Sequence, residues 1–160
     1  MGQYHLVVNL DKFEYIRPHK IGVGLKAAEQ LHSSASTPHL LFALTMCSNG
    51  RGGGDLDRSS NLVGRWAGDR IAIVGDYAED GDLPDQFEAG SIYGRCGRDE
   101  PEMVTLAREV FPEEHYTQDP ATAVYRDISH LCLPFIEREF GVRVVDNGGW
   151  ANRIEIGSED

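Results

Sequence analysis

Asn49-Gly50-Arg51-Gly52-Gly53-Gly54-Asp55 sets an arginine and an aspartate on either side of three successive glycines. Glycine takes positive φ without steric penalty, so such a backbone can approach a partner closely while Arg51 and Asp55 supply charge beside it. A second charged segment, Gly64-Arg65-Trp66-Ala67-Gly68-Asp69-Arg70, leads through Ile71-Ala72-Ile73-Val74 into Gly75-Asp76-Tyr77. Metal-assisted chemistry on a phosphate-bearing small molecule would need both kinds of charge. Arg51 and Arg70 would hold the anion, and Asp55, Asp69 or Asp76 would serve as metal ligand or general base. His19, in Arg17-Pro18-His19-Lys20 at the end of an expected strand, is the histidine best placed to join the 69–77 segment.

The spacing of these residues matches no known catalytic motif. The glycine run lacks the Lys-Ser/Thr ending of a phosphate-binding loop and does not fit the dinucleotide fingerprint. It also follows a helix C-terminus, whereas anion-binding loops lead into a helix N-terminus and its positive dipole end. Asp76, Asp80, Asp82 and Asp85 offer carboxylates to a hard cation, but without EF-hand spacing and with Pro84 interrupting, so the segment reads as a solvated acidic loop. Six histidines show no HxH or HExxH pattern, and Cys47, Cys96 and Cys132 form no CxxC pair; the cysteines read as buried free thiols. No metal and no cofactor is expected. Trp66 reads either as a core anchor or as an exposed binding aromatic, with the core preferred.

The elements that must carry these residues follow from periodicity. Tyr4, Leu6, Val8 and Leu10 alternate as a half-buried strand, Asp11-Lys12 makes a tight turn, and Phe13 to Arg17 forms a second strand, giving an N-terminal β-hairpin. Leu25, Ala28 and Leu31 or His32 predict a short amphipathic helix. Thr37 as N-cap and Pro38 predict another helix that runs to Ser48. Ile71 to Val74, apolar on both faces, reads as a central strand, in which Ile73→Asp would unfold the protein. A short strand is expected at Ser91 to Arg95, a helix from Asp99 through Val110, and a further helix from Asp119-Pro120 that Pro134 should kink or split. Gly141 should end it, and Val142 to Val145 with Arg153 to Ile156 close the chain as paired strands. The expectation is one α+β domain over residues 1–160, with a mostly antiparallel sheet and about four helices.

Composition narrows the function classes. The 160 residues are 41% hydrophobic, enough for a sizeable core. Acidic residues number 26 against 15 basic ones, and the net charge of −11 disfavours nucleic acid and anionic membranes, which require clustered cations. No run of about 18 apolar residues is present, and Met1-Gly2-Gln3-Tyr4-His5 does not open a signal peptide. A soluble, cytoplasmic protein is expected, with a virion location as the alternative. Only Lys12, Lys20 and Lys26 are lysine, and this acidic, arginine-preferring composition is similar to that of proteins from salt-loving archaea or their viruses.

Gly2-Gln3-Tyr4, Val8-Asn9-Leu10-Asp11-Lys12, Pro18-His19-Lys20, Gly22-Val23-Gly24-Leu25-Lys26, Asn49 to Asp55 and Gly64 to Tyr77 together resemble a family of uncharacterised small proteins of bacteria, archaea and their tailed viruses. The likeness covers the first half of the chain and implies a context rather than a mechanism. With no acid/base or nucleophile constellation, the leading reading is a non-enzymatic binding or assembly protein encoded by a virus or mobile element. Its surface would comprise Arg51, Gly52, Gly53, Gly54, Asp55, Trp66, Asp69, Arg70, Asp76 and His19, and its partner would be a protein or another copy rather than a small molecule. The alternatives are the phosphate-directed enzyme above and a virion structural subunit.

Self-repulsion among the surplus carboxylates predicts stabilisation by salt. The melting temperature should rise between dilute buffer and molar potassium chloride; a flat or falling trend would count against a salt-adapted surface.

Overall fold

The alternation at the N-terminus folds as β1 (His5–Asn9), and the chain reverses into β2 (Glu14–Ile16). One side chain makes the reversal: Asn9 Oδ1 accepts the backbone N–H groups of Asp11 at 2.9 Å and Lys12 at 2.7 Å, standing in for a turn carbonyl. The strands pair antiparallel with Val7 opposite Ile16 and Asn9 opposite Glu14, so the hairpin is present. The computed structural model describes residues 3–33, 35–53, 55–57, 60–96, 112–145 and 153–156. They divide into two units, Met1–Ile16 with Asp69–Ile128, and Arg17–Gly68 with Ser129–Asp160.

In the first unit, β3 (Ile71–Gly75) runs antiparallel to β1, and the two-residue β4 (Arg126–Asp127) runs parallel to β2. The order β3-β1-β2-β4 makes a mixed sheet in which two of the three pairings are antiparallel, and with the helices the fold is α+β. Among the described residues β3 is therefore an edge strand and not the expected central one. Its neighbour β1 holds the interior, with Leu6, Val7 and Val8 at most 1% exposed, whereas Ile73 is 65% exposed beside a buried Val74. An apolar run encodes affinity for a sheet but not the position within it.

Where a strand was expected, the chain forms α3 (Ala89–Arg95). Ala89, Ile92, Tyr93 and Cys96 are all buried, and their spacing of three and four is the helical period. Arg95 ties this helix to the approach to β4, its guanidinium donating to the carbonyls of Phe87 at 2.6 Å, Ala123 at 2.9 Å and Pro120 at 3.1 Å. A one-turn helix, α4 (Pro112–His115), precedes that approach. The helix expected from Asp99 through Val110 lies outside the described residues.

The second unit carries a 3₁₀ turn at Pro18–Ile21, α1 (Ala27–His32), α2 (Thr37–Thr45), α5 (Ser129–Phe140), β5 (Val142–Val145) and β6 (Arg153–Ile156). α1 reverses the expected amphipathicity: Leu31 is 68% exposed and Gln30 is buried, its amide donating to the Leu25 carbonyl at 2.9 Å. In α2 the cap is Ser36, one residue earlier than expected, and the helix stops at Thr45. Cys47 lies beyond that end and is exposed, whereas Cys96 and Cys132 are buried as expected.

No helix starts at Asp119-Pro120. Asp119 Oδ1 instead accepts the Ala121 N–H at 2.9 Å, and the N–H groups of Arg126 and Ile128 donate to Phe13 and Tyr15 carbonyls at 2.7 and 3.0 Å. Docking beside β2 thus claims Ile128 before helical periodicity can. α5 continues through Pro134 as one element and gives way at Gly141, φ +62°, after which β5 and β6 pair antiparallel as a sheet of their own. Among the described residues, no helix is long and apolar enough to cross a membrane.

The edge position of β3 reverses the sequence expectation for Ile73. Ile73→Asp should keep the fold, lowering stability by no more than about 1 kcal/mol. Val74→Asp, which buries a charge, should lose several kcal/mol, on the order of 3–5. Urea denaturation of both variants separates the two positions; equal losses would contradict the edge assignment.

Candidate functional site

Two backbone bonds fix how β3 faces its neighbour: Leu10 N–H donates to the Arg70 carbonyl at 2.8 Å, and Asp76 N–H to the Tyr4 carbonyl at 3.1 Å. Bonded and non-bonded pairs alternate along an antiparallel ladder, so Ala72 and Val74 also turn their backbone groups towards β1. Ile71, Ile73 and Gly75 therefore direct theirs to the outer edge. Among the described residues β1 is the strand partner of β3, and the Gly75 carbonyl accepts the Ala78 N–H at 3.2 Å.

The same register puts His5 opposite Gly75. A Cβ at position 75 would stand 3.4 Å from His5 Nε2, an ordinary contact distance, so the imidazole lies beside Gly75 on this face. Gln3, His5, Ile73, Gly75 and Tyr77 then form one wall of a cavity of about 230 Å³, and Asp82, Leu83 and Ala89 contribute the other. Ile73 and Tyr77, 65% and 59% exposed, flank it. The loop that supplies the second wall is held by its own carboxylates: Asp82 Oδ2 accepts the Glu79 N–H at 3.0 Å, and Asp80 Oδ1 accepts the Gly90 N–H at 2.9 Å. A cavity this small falls below the roughly 300–1,000 Å³ of small-molecule sites; it suits one side chain.

The charged residues singled out in the sequence take up structural partners. Asp69 accepts from the Asn9 amide at 2.8 Å and pairs with Lys12. Arg70 Nη2 and Nε grip Asp11 at 2.7 and 3.0 Å, and the guanidinium stands 5.0 Å over the Phe87 ring. That guanidinium holds the Asp11 carboxyl below its ordinary pKa, and Asp11 in turn raises the arginine's. Asp76 Oδ1 accepts the Tyr4 N–H at 3.0 Å. Asp69 and Arg70 enter β3 and Asp76 leaves it, so the strand separates Arg70 from Asp76 by roughly 20 Å rather than gathering them.

In the second unit Arg51, Gly52, Gly53 and Asp55 are exposed, and Gly54 lies outside the described residues. Asn49 closes this loop with its side-chain amide, which donates to the Leu56 carbonyl at 3.0 Å and accepts its N–H at 3.5 Å. Gly52 and Gly53 adopt φ of +70° and +88°, so the loop's own path accounts for glycine there. Trp66 is fully buried, which removes it from any contact surface and makes it the core anchor. His19 is also buried, within the 3₁₀ turn. Among the described residues no group of three or more His, Cys, Asp and Glu is arranged to hold a metal ion.

The sequence reading missed the cavity at β3. Gln3 and His5 meet Ile73, Gly75 and Tyr77 only through the β1–β3 register, which no short-range spacing reveals. The usable signal was a glycine that ends an apolar strand immediately before an aromatic residue and an acidic loop. Compared with family models, curated proteins and solved structures, the chain matches none.

One titrating group is built into the base of the first unit. His115 is 3% exposed; its Nε2–H donates to the Phe13 carbonyl at 2.8 Å, and its Nδ1 accepts from Gln118 at 3.1 Å. Burial, aided by the charge of Arg126, pushes its pKa below the ordinary 6.5 against the opposing pull of the Phe13 bond and Glu14. The folded state thus favours neutral His115, and its contribution is complete above pH 6.5 and lost as pH falls through the lowered value. Melting temperature should fall between pH 7.5 and 5, and His115→Gln, which keeps an amide donor, should flatten that slope. An unchanged slope would show that His115 does not govern it.

Proposed function

We propose that this is a non-enzymatic binding protein whose contact surface is the outer edge of β3 with the cavity beside it. The observation that carries the reading is a strand edge with no strand partner among the described residues, bearing the 65%-exposed Ile73 next to that cavity. Isolated exposed apolar residues are ordinary. An exposed isoleucine on a strand edge is different, because the edge also presents backbone donors and acceptors and is a template for pairing. The strand edge lies within the 64–77 segment anticipated from the sequence, the cavity extends beyond it to Gln3, His5, Asp82, Leu83 and Ala89, and Trp66, which is buried, belongs to neither. The glycine-rich loop remains a separate candidate, since Arg51 and Asp55 are exposed. A protein partner suits the edge better than a small molecule, given the size of the cavity.

Site-specific photo-crosslinking tests the assignment. A photoreactive phenylalanine analogue at position 77, introduced in the cells that make the protein, should yield discrete protein adducts, and the same analogue at position 52 should yield fewer. Adducts at position 52 alone would move the surface to the glycine-rich loop. Adducts at neither position would overturn the binding role.

A further inference from the structure

We propose that the outer edge of β3 takes up an extended, cationic segment of another protein as an added strand. The inference rests on the binding surface argued above and names the chemistry of its partner. Ile71, Ile73 and Gly75 turn their backbone groups outwards, as the ladder bonds at Tyr4–Asp76 and Leu10–Arg70 require. The Gly75 carbonyl already accepts the Ala78 N–H, so an extended chain laid alongside makes its main-chain hydrogen bonds chiefly to Ile71 and Ile73, and its alternate side chains fall on one face of the sheet. On the face shared by His5, Ile73 and Gly75, one such side chain meets a cavity of about 230 Å³.

Charge selects the occupant. From Asp76 to Gly90 the chain carries six carboxylates, Asp76, Glu79, Asp80, Asp82, Asp85 and Glu88, and no lysine, arginine or histidine. Asp82 lines the cavity itself. A lysine or arginine entering there lays its aliphatic stem along Leu83 and Tyr77 and brings its charge to Asp82. A second copy of this chain would bring its own acidic segment and a further net charge of −11 to the contact, which opposes self-pairing.

The test uses the purified full-length protein and an immobilised library of capped nine-residue peptides, in which Val, Ile and Thr alternate with positions randomised among Lys, Arg, Asp, Glu, Ser and Gly. Retained peptides should be enriched at least tenfold in Lys and Arg over Asp and Glu. Ile73→Pro deletes an outward N–H at an edge position that tolerates proline, and should weaken the best peptide at least tenfold. Should that variant fail to fold, Ile73→Lys blunts the same edge and should have the same effect. Asp82→Asn should weaken binding several-fold and reduce its salt dependence. Acidic or neutral peptides held in an Ile73-dependent way would overturn the cationic partner and leave the binding surface standing. Retention indifferent to the Ile73 variants, or no retention at all, would overturn both. A wild-type dimer that Ile73→Pro dissociates would give the edge to a second copy and overturn the proposal.

Discussion

The side chain of Asn9 holds the first unit's sheet in register. It is fully buried at the end of the central strand, where its oxygen accepts two N–H groups of the turn into β2 and its nitrogen donates to Asp69 at the entrance to β3. Both neighbours of β1 are thus fixed by one amide. No other side chain of this size accepts twice and donates in the same plane; aspartate would set a second carboxylate against Asp69, and alanine would leave buried polar groups unsatisfied. Lys12 and the Asp11–Arg70 pair close around the same corner, so the first residues of the turn and the first residues of β3 form one clamp.

That clamp determines the cavity, although it lies at the other end of the strand. Period-two alternation means that a slip of one residue between β1 and β3 would move Ile73 to the opposite face and take Gly75 from beneath His5. The pairing of Asn9 with Ile71 at one end therefore dictates the pairing of His5 with Gly75 at the other. The hydrogen bond from the Tyr4 N–H to Asp76 secures that far end. The aspartates that resembled catalytic groups in the sequence are the fastenings of the ladder, which explains why they flank β3 rather than converge.

Local signals announced what local forces build. Alternation with a short turn was enough for the hairpin, a capping residue and a proline located the start of α2 to within one residue, and Gly141 marked the boundary before β5. What depended on partners distant in sequence was not legible. The apolar run Ile71 to Val74 could not disclose that β3 would have a strand partner on only one side among the described residues, and Gln30 replaced Leu31 in the interior, where its amide donates to the Leu25 carbonyl. Of the candidate site, the segment 64–77 was visible as unusual sequence, and the core preference for Trp66 was legible in it, but where its other side chains go was not. Trp66 went to the core, Asp69, Arg70 and Asp76 to structural bonds, and Ile73 and Tyr77 to the surface.

Much of the described positive charge is already engaged within the protein. Lys12 pairs with Asp69, Arg70 with Asp11, Arg138 with Asp57 at 3.0 Å, and Arg95 with three backbone carbonyls. The segment from Asp76 to Gly90 has no cation of its own, and its carboxylates are oriented by backbone N–H groups that position the charge without neutralising it. Exposed ion pairs contribute little to stability, so these carboxylates matter chiefly through the field they set beside β3. A strand edge offers the same hydrogen bonds to any extended chain. Discrimination among extended chains must therefore come from that field and from the single side chain the cavity admits, and both act at Asp82, where the negative charge and the cavity wall are one residue.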